Sequence, residues 1–219
     1  MRFIALISVV VAGAGSHASV QFYNSPDFAS NGATRSLWLS DLGISAGDTL
    51  VDFESYSVGL NVHGVDLGGV TVLHPGSSAV VQSSSAFFGS SNPIDTKALA
   101  LLETGGTITL NFTAPVMYAG GFDIDKPGST IKATLSDNSS FTFSHDTTGS
   151  SGNSAEFWAF RSLAPTLGIT KIELIATSGG DGEWGLDNLE FGGEPVPEPA
   201  TMAALALGLG AVAKRRKRS

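Results

Sequence analysis

The 219-residue sequence contains no cysteine. That excludes a disulfide framework, a thiolate metal site, a cysteine nucleophile and a lipid-modified cysteine. The folded part must therefore be held by burial, helped at most by a metal ion. Basic residues are scarce outside the two ends. Between positions 19 and 195 they are Arg35, Lys97, Lys126, Lys132, Arg161 and Lys171, against nineteen acidic residues, for a net charge of −13. Such a surface repels nucleic acid, whose binding needs lysine and arginine to displace counterions, and suits solubility or divalent cations. Nucleotide-binding glycine loops, helical histidine pairs and a Gly-x-Ser-x-Gly elbow are also missing. No apolar run reaches the roughly 20 residues of a stable spanning helix.

What is present begins at the N-terminus. Met1-Arg2 precedes the apolar run Phe3 to Val11, and small residues lead into Ser16-His17-Ala18. One positive charge, an apolar stretch and small residues at −3 and −1 predict a secretory signal peptide cut after Ala18. Sec machinery and signal peptidase are its expected partners. The competing reading, a buried first strand, is disfavoured by the lack of polar alternation.

The other end has three parts in order. Val196-Pro197-Glu198-Pro199 fixes two φ angles and removes two donors, so neither helix nor central strand runs through it. An apolar run follows from Met202 to Ala213, and then Lys214-Arg215-Arg216-Lys217-Arg218 and a final Ser. From Pro199 to Ala213 a helix would rise on the order of 22 Å. That crosses a bilayer only with snorkelling or local thinning. The basic cluster resists translocation and would leave the body outside. A marginal anchor behind an accessible turn suits a tail made to be removed.

These residues, from Val196-Pro197-Glu198-Pro199-Ala200-Thr201 to the basic stop, resemble the PEP-CTERM sorting signal of Gram-negative bacteria. The resemblance covers about 24 residues. It implies recognition by an exosortase, cutting near Pro199 and transient inner-membrane insertion. Delivery to the cell surface or extracellular matrix of an exopolysaccharide-making cell would follow.

The body, 19–194, is rich in glycine and serine, with short β-branched and aromatic runs. Strands are predicted at Val20–Tyr23, Leu50–Glu54, Val70–Leu73, Ala79–Gln82, Ala98–Leu102, Thr107–Phe112 and Val116–Ile124. Further strands are predicted at Thr130–Leu135, Ser140–Phe143, Glu156–Arg161, Lys171–Ala176 and Leu186–Phe191. Short alternating runs split by Gly, Asp and Asn argue for an all-β antiparallel sandwich. One helix is expected over Thr34 to Leu42, capped by Asn31 or Thr34, with Leu37, Trp38 and Leu42 on its apolar side and Gly43 as its stop. Val51-Asp52-Phe53-Glu54, Gly68-Gly69-Val70-Thr71-Val72 and the close Trp184-Gly185-Leu186-Asp187-Asn188-Leu189-Glu190-Phe191 are similar to segments of extracellular jelly-roll domains. That likeness implies pairing of the first and last strands, which would bring the Glu54 and Asp187 regions together.

Strand alternation sends Asp187 with Leu189 and Phe191 toward the core, and puts Asp52 and Glu54 on one face. A buried carboxylate must be paired, hydrogen-bonded or on a metal. Glu54 and Asp187 with nearby carbonyls would suit Ca²⁺, as carbohydrate-binding jelly rolls suggest, and the alternative is that Asp187 accepts backbone N–H groups. Asp123 and Asp125 read as a polar face beside a turn rather than a ligand pair. Phe157, Trp158 and Phe160 read as core, and Trp184 is the better sugar platform. No pair of carboxylates stands out as catalytic, and His63, His74 and His145 are scattered. The expectation is a non-enzyme with a structural or adhesive role, binding extracellular polysaccharide. The rivals are a calcium-dependent carbohydrate-binding module and a polysaccharide hydrolase.

Overall fold

The computed structural model describes residues 9–12, 19–25, 30–76, 79–83, 97–101, 106–124, 129–145, 155–176 and 184–193. Two antiparallel sheets pack face to face. In chain order the strands are β1 Val9–Ala12, β2 Ser19–Asn24, β3 Thr49–Val51, β4 Val70–Leu73, β5 Val80–Ser83, β6 Lys97–Leu101 and β7 Gly106–Val116. They continue as β8 Tyr118–Ile124, β9 Ser129–Leu135, β10 Ser140–His145, β11 Ala155–Ser162, β12 Ile169–Ala176 and β13 Trp184–Gly192. The larger sheet runs β1-β2-β11-β8-β13-β6-β5, with β3 pairing a second stretch of β13. The smaller runs β10-β9-β12-β7-β4.

The smaller sheet follows from simple alternation. Along β7, Ile108, Leu110 and Phe112 are buried while Thr107, Thr109 and Asn111 are partly exposed. The inward residues meet those of the larger sheet in one core. Aromatic pairs close the two layers: Phe22 stacks on Phe143 at 4.8 Å, and Phe112 meets Phe191 at 5.2 Å. Such pairs add about 0.5–1.5 kcal/mol each beyond their buried area.

The larger sheet is covered on its other face by helix α1, Asn31–Leu42. Trp38 sits at zero exposure between Tyr118 and Phe157, with ring centroids 5.7 and 5.5 Å away. Every residue of β8 is therefore buried. Gly120 permits this layer to close, because a Cβ there would lie 2.6 Å from the Ala159 Cβ. The helix ends where the sequence says: Gly43, at φ 72°, donates to the Ser40 carbonyl, and Ile44 donates to Leu39. Its start lies earlier than expected. Ser30 is the cap residue and makes no side-chain capping bond, and Asn31 lies inside the helix. The Asn31 side chain instead ties the helix to β11, donating to the Ala155 carbonyl at 2.6 Å and accepting from the Phe157 N–H at 2.9 Å. Tertiary hydrogen bonds have outweighed the local cap.

One strand is unexpected, and two further expectations change. Val9–Ala12, read as part of a signal peptide, forms a four-residue edge strand on β2 in the uncut chain. An apolar β-branched run pairs readily with an open edge; cleavage after Ala18 would remove it. The strand expected over Leu50–Glu54 stops at Val51, because Phe53 turns to φ 59° and the Asp52 carboxylate accepts the Glu54 N–H. Asp52 and Glu54 therefore do not share a strand face. The alternation in β13 breaks at Asn188, whose φ is 47°, and its register against β8 shifts between Asp187 and Glu190. Leu186, Leu189 and Phe191 consequently all enter the inter-sheet core. Asp187 pairs with Phe122, which packs in the helix-side cluster, so its face is opposite to the one expected.

Candidate functional site

The outer face of the five-stranded sheet is the open side of the sandwich. Strand register places Thr142, Lys132, Glu173, Thr109 and Leu73 in one row across all five strands. The neighbouring row is Ser140, Thr134, Lys171, Asn111 and Thr71. At the centre, Glu173 bridges Lys132 and Lys171, each N–O distance 3.2 Å. Burial would raise the Glu173 carboxyl, but hydrogen bonds from Lys171 and Lys132 outweigh it and hold the group below the usual carboxylate range.

A wall rises along one side of this face. Gly64 and the pair Gly68-Gly69, all at positive φ, turn the chain so that 61–66 folds back on β4. Gly64 donates to the Val72 carbonyl, and the His74 N–H donates to His63 Nδ1 at 3.1 Å. His74 itself is buried, with Nδ1 accepting from the Gly76 N–H. Gly106, at φ 115°, leaves room for its ring, since a Cβ there would lie 3.1 Å from Nε2. Between wall and sheet lies an open groove of about 470 Å³, bordered by His63, His74, Pro75, Thr107, Thr109 and Glu173. The two histidines look scattered in sequence, eleven positions apart. The glycines between them are the signal that a fold-back would join them.

The expected site residues fare differently. Pairing of β3 with β13 puts the segments before Glu54 and around Asp187 on adjacent strands. Glu54 accepts the Lys97 N–H at 2.7 Å, and the Lys97 ammonium donates to the Glu54 and Tyr56 carbonyls. Asp187 accepts the Asn188 N–H at 2.8 Å. Among the described residues no three His, Asp or Glu side chains form a metal-binding group. Asp123, expected on a polar face, is buried opposite Glu156 across β8 and β11. Asp125 lies outside the described residues. Phe157, Trp158 and Phe160 are fully buried core, as expected. Trp184 opens β13 opposite Leu101, and its side chain lies outside the description. So do Ala18, the Val196-Pro197-Glu198-Pro199 turn, the apolar run and Lys214–Arg218. Among the described residues no helix is long and apolar enough to cross a membrane.

The architecture defines an all-β antiparallel sandwich with one face open. The PEP-CTERM protein-sorting motif matches residues 195–218, so the chain carries the mark of an exported protein processed by exosortase. Solved structures of similar strand arrangement include the carbohydrate-binding module TmCBM61 in complex with β-1,4-galactotriose, at 14% identity, covering 64% of this chain and 92% of that one with TM-score 0.37. The K2 adhesin domain of Lys-gingipain is similar at 9% identity over 65% and 96%, TM-score 0.38. CsCBM6-3 from Clostridium stercorarium, in complex with cellobiose, is similar at 15% identity over 66% and 92%, TM-score 0.31. No curated protein matches the sequence.

Proposed function

We propose that the chain is a structural or adhesive component of the cell envelope or extracellular matrix, displayed by exosortase processing and in contact with polysaccharide. The observation that carries this reading is a junction. The last strand among the described residues ends at Gly192, and the sorting motif begins at residue 195. A cut in the Pro-Glu-Pro turn would therefore release the whole sandwich and nothing more. The outer face of the smaller sheet, polar and uncovered, supports contact with a hydrated polymer.

Intact mass of the exported protein tests the processing. A product ending near Pro199 is expected, and one that retains Lys214–Arg218 would overturn it. Fractionation of the host tests the destination. The processed form should co-purify with surface or matrix material, and deletion of exosortase should leave an uncut precursor in the membrane. This reading does not invoke calcium; the Glu54 carboxylate accepts the Lys97 N–H and the Asp187 carboxylate accepts the Asn188 N–H. Retention in the matrix should be the same with and without EDTA. EDTA-sensitive retention, with a lowered melting temperature, would favour the calcium-dependent module instead.

A further inference from the structure

We infer that the groove between the His63–His74 wall and the five-stranded sheet binds an extended, uncharged polysaccharide segment; this rests on the reading of the protein as a polysaccharide-contacting one. Three features converge on that class. The face offers donors and acceptors in alternation rather than charge of one sign. Thr107 and Thr109 line the groove and Asn111 lies beyond it on the same face, and Glu173, which also lines it, sets its carboxylate 3.2 Å from the ammonium groups of Lys132 and Lys171 on the adjoining sheet. A sugar diol, each oxygen of which both donates and accepts, can span such a pair: one hydroxyl gives to the carboxylate and its neighbour accepts from the ammonium.

The charges also argue against a polyanion. Glu173 engages both lysines of this face, which leaves the cluster with a single positive charge, and the body around it carries a net −13. An incoming polymer of carboxylates would have to break the bridge and approach an acidic domain. A neutral chain needs neither. Finally, the shape is an open trough, not an enclosed cavity. Its volume of about 470 Å³ falls in the range of ligand sites, while its open side suits a polymer that continues beyond the site. The wall is fixed, since His74 is buried and hydrogen-bonded on both its N–H and Nδ1 sides.

Affinity gel electrophoresis of the full-length chain tests this. The gels contain laminarin, galactan, hydroxyethyl cellulose or mannan as neutral polymers, and polygalacturonate as the anionic one. Retardation by at least one neutral polymer is expected. Thr109→Trp, which fills the groove from a partly exposed position, should weaken that binding about tenfold or more, equivalent to about 1.4 kcal/mol. Glu173→Ala should weaken it by a similar factor, and Asp137→Ala, in the exposed β9–β10 turn, should leave it unchanged. A melting curve matching the parent shows that each variant is folded, and Glu173→Gln repeats the test with the shape retained. Neutral-polymer binding untouched by Thr109→Trp and both Glu173 variants would overturn the groove while leaving the matrix role standing. Retardation by polygalacturonate alone would overturn the uncharged class. No retardation by any polymer would overturn the groove, and the mass and fractionation results would then judge the export and display reading on its own.

Discussion

The larger sheet is covered on both faces at β2, β11 and β8, by its partner sheet and by α1, whereas the smaller sheet keeps one face in water. The difference shows in β8 and β7. Every residue of β8 is buried, and its sequence Tyr-Ala-Gly-Gly-Phe-Asp-Ile has small residues where backbone and helix must approach. In β7 buried and open positions alternate from Thr107 to Phe112, and the open ones are threonine and asparagine. A sheet buried on both faces has no free side chains for a ligand. A sheet open on one face can change those side chains without disturbing the core. The open sheet is thus where binding can be built, and the covered one is where stability resides.

That division can be broken by substitution. Trp158→Ala removes a fully buried ring from the inter-sheet core, and should cost about 3–5 kcal/mol by urea denaturation. Thr109→Ala, on the open face, should stay within about 0.5 kcal/mol. Comparable losses for the two would show that the open face also carries the fold.

Gly120→Val probes the covered side more narrowly. Its new side chain would press on the Ala159 Cβ and the Trp158 carbonyl, which already lie 2.6 and 2.9 Å from the position of a Cβ. A cost of about 2–3 kcal/mol is expected, with the helix-side layer loosened first. Near-UV circular dichroism of Trp38 and its aromatic neighbours would report that loosening. Unchanged spectra and stability would mean that α1 is not packed as tightly as described.

Arg35→Ala tests how the helix is locked. Arg35 Nε donates to Glu190 at 2.6 Å, and the Gly47 N–H donates to the other Glu190 oxygen at 2.9 Å. The Glu190 side chain is almost fully buried, while Arg35 is about one-third exposed. Removal of the arginine leaves a buried carboxylate short of its charge partner, at roughly 2 kcal/mol after allowance for solvent on the arginine side. Glu190→Gln together with Arg35→Ala should recover part of that loss, and a double-mutant cycle measures the coupling.

Tyrosines give the covered layer a pH signature. Burial pushes the Tyr118 phenol up to about 12, against an opposing hydrogen bond from the Asp48 N–H. Burial also raises Tyr23 far above its usual value, with the Asp41 carboxylate adding to the effect. A raised phenol contributes stability that is complete below its ordinary value of 10.0 and is lost as pH rises through about 12. Alkaline unfolding should therefore begin above about pH 10, and Tyr118→Phe should flatten that part of the stability curve. An identical curve for the variant would contradict the burial of the hydroxyl.

The same contrast governs what sequence reasoning could see. The strand set, the Gly43 stop and the inward side chains of β7, β9 and β12 follow from period-two alternation and turn chemistry. β11 was legible as core because Phe157, Trp158 and Phe160 are too apolar to face water on either side. What was missed depends on long-range geometry. The bulge at Asn188 reverses one half of β13, and no local residue announces it. Asn31 looked like a cap because its side chain can satisfy a helix N–H, yet β11 offers it better partners. The groove was illegible for a related reason. His63, Thr109 and Glu173 come from three distant segments, each of them ordinary alone, and register alone aligns them. The sorting tail was readable throughout, because its three parts are contiguous and each acts through composition.

The smallest effect belongs to the open face and bears on the site directly. Glu173 is held below its ordinary carboxyl value of 4.5 by its two lysines. A lowered carboxyl contributes stability that is present above the unfolded value and is lost as pH falls through the folded one. The loss should be modest, under about 1 kcal/mol, because the three side chains retain contact with solvent and salt screens them. Stability of the parent and of Glu173→Gln should be compared from about pH 6 to about pH 3, at low and at high salt. The parent should lose slightly more on acidification, and the difference should shrink in high salt. If binding of the neutral polymer follows that titration while the fold does not, the bridge is serving recognition and not architecture. If stability falls steeply instead, the bridge belongs to the fold, and the open sheet is less free to vary than its exposure implies.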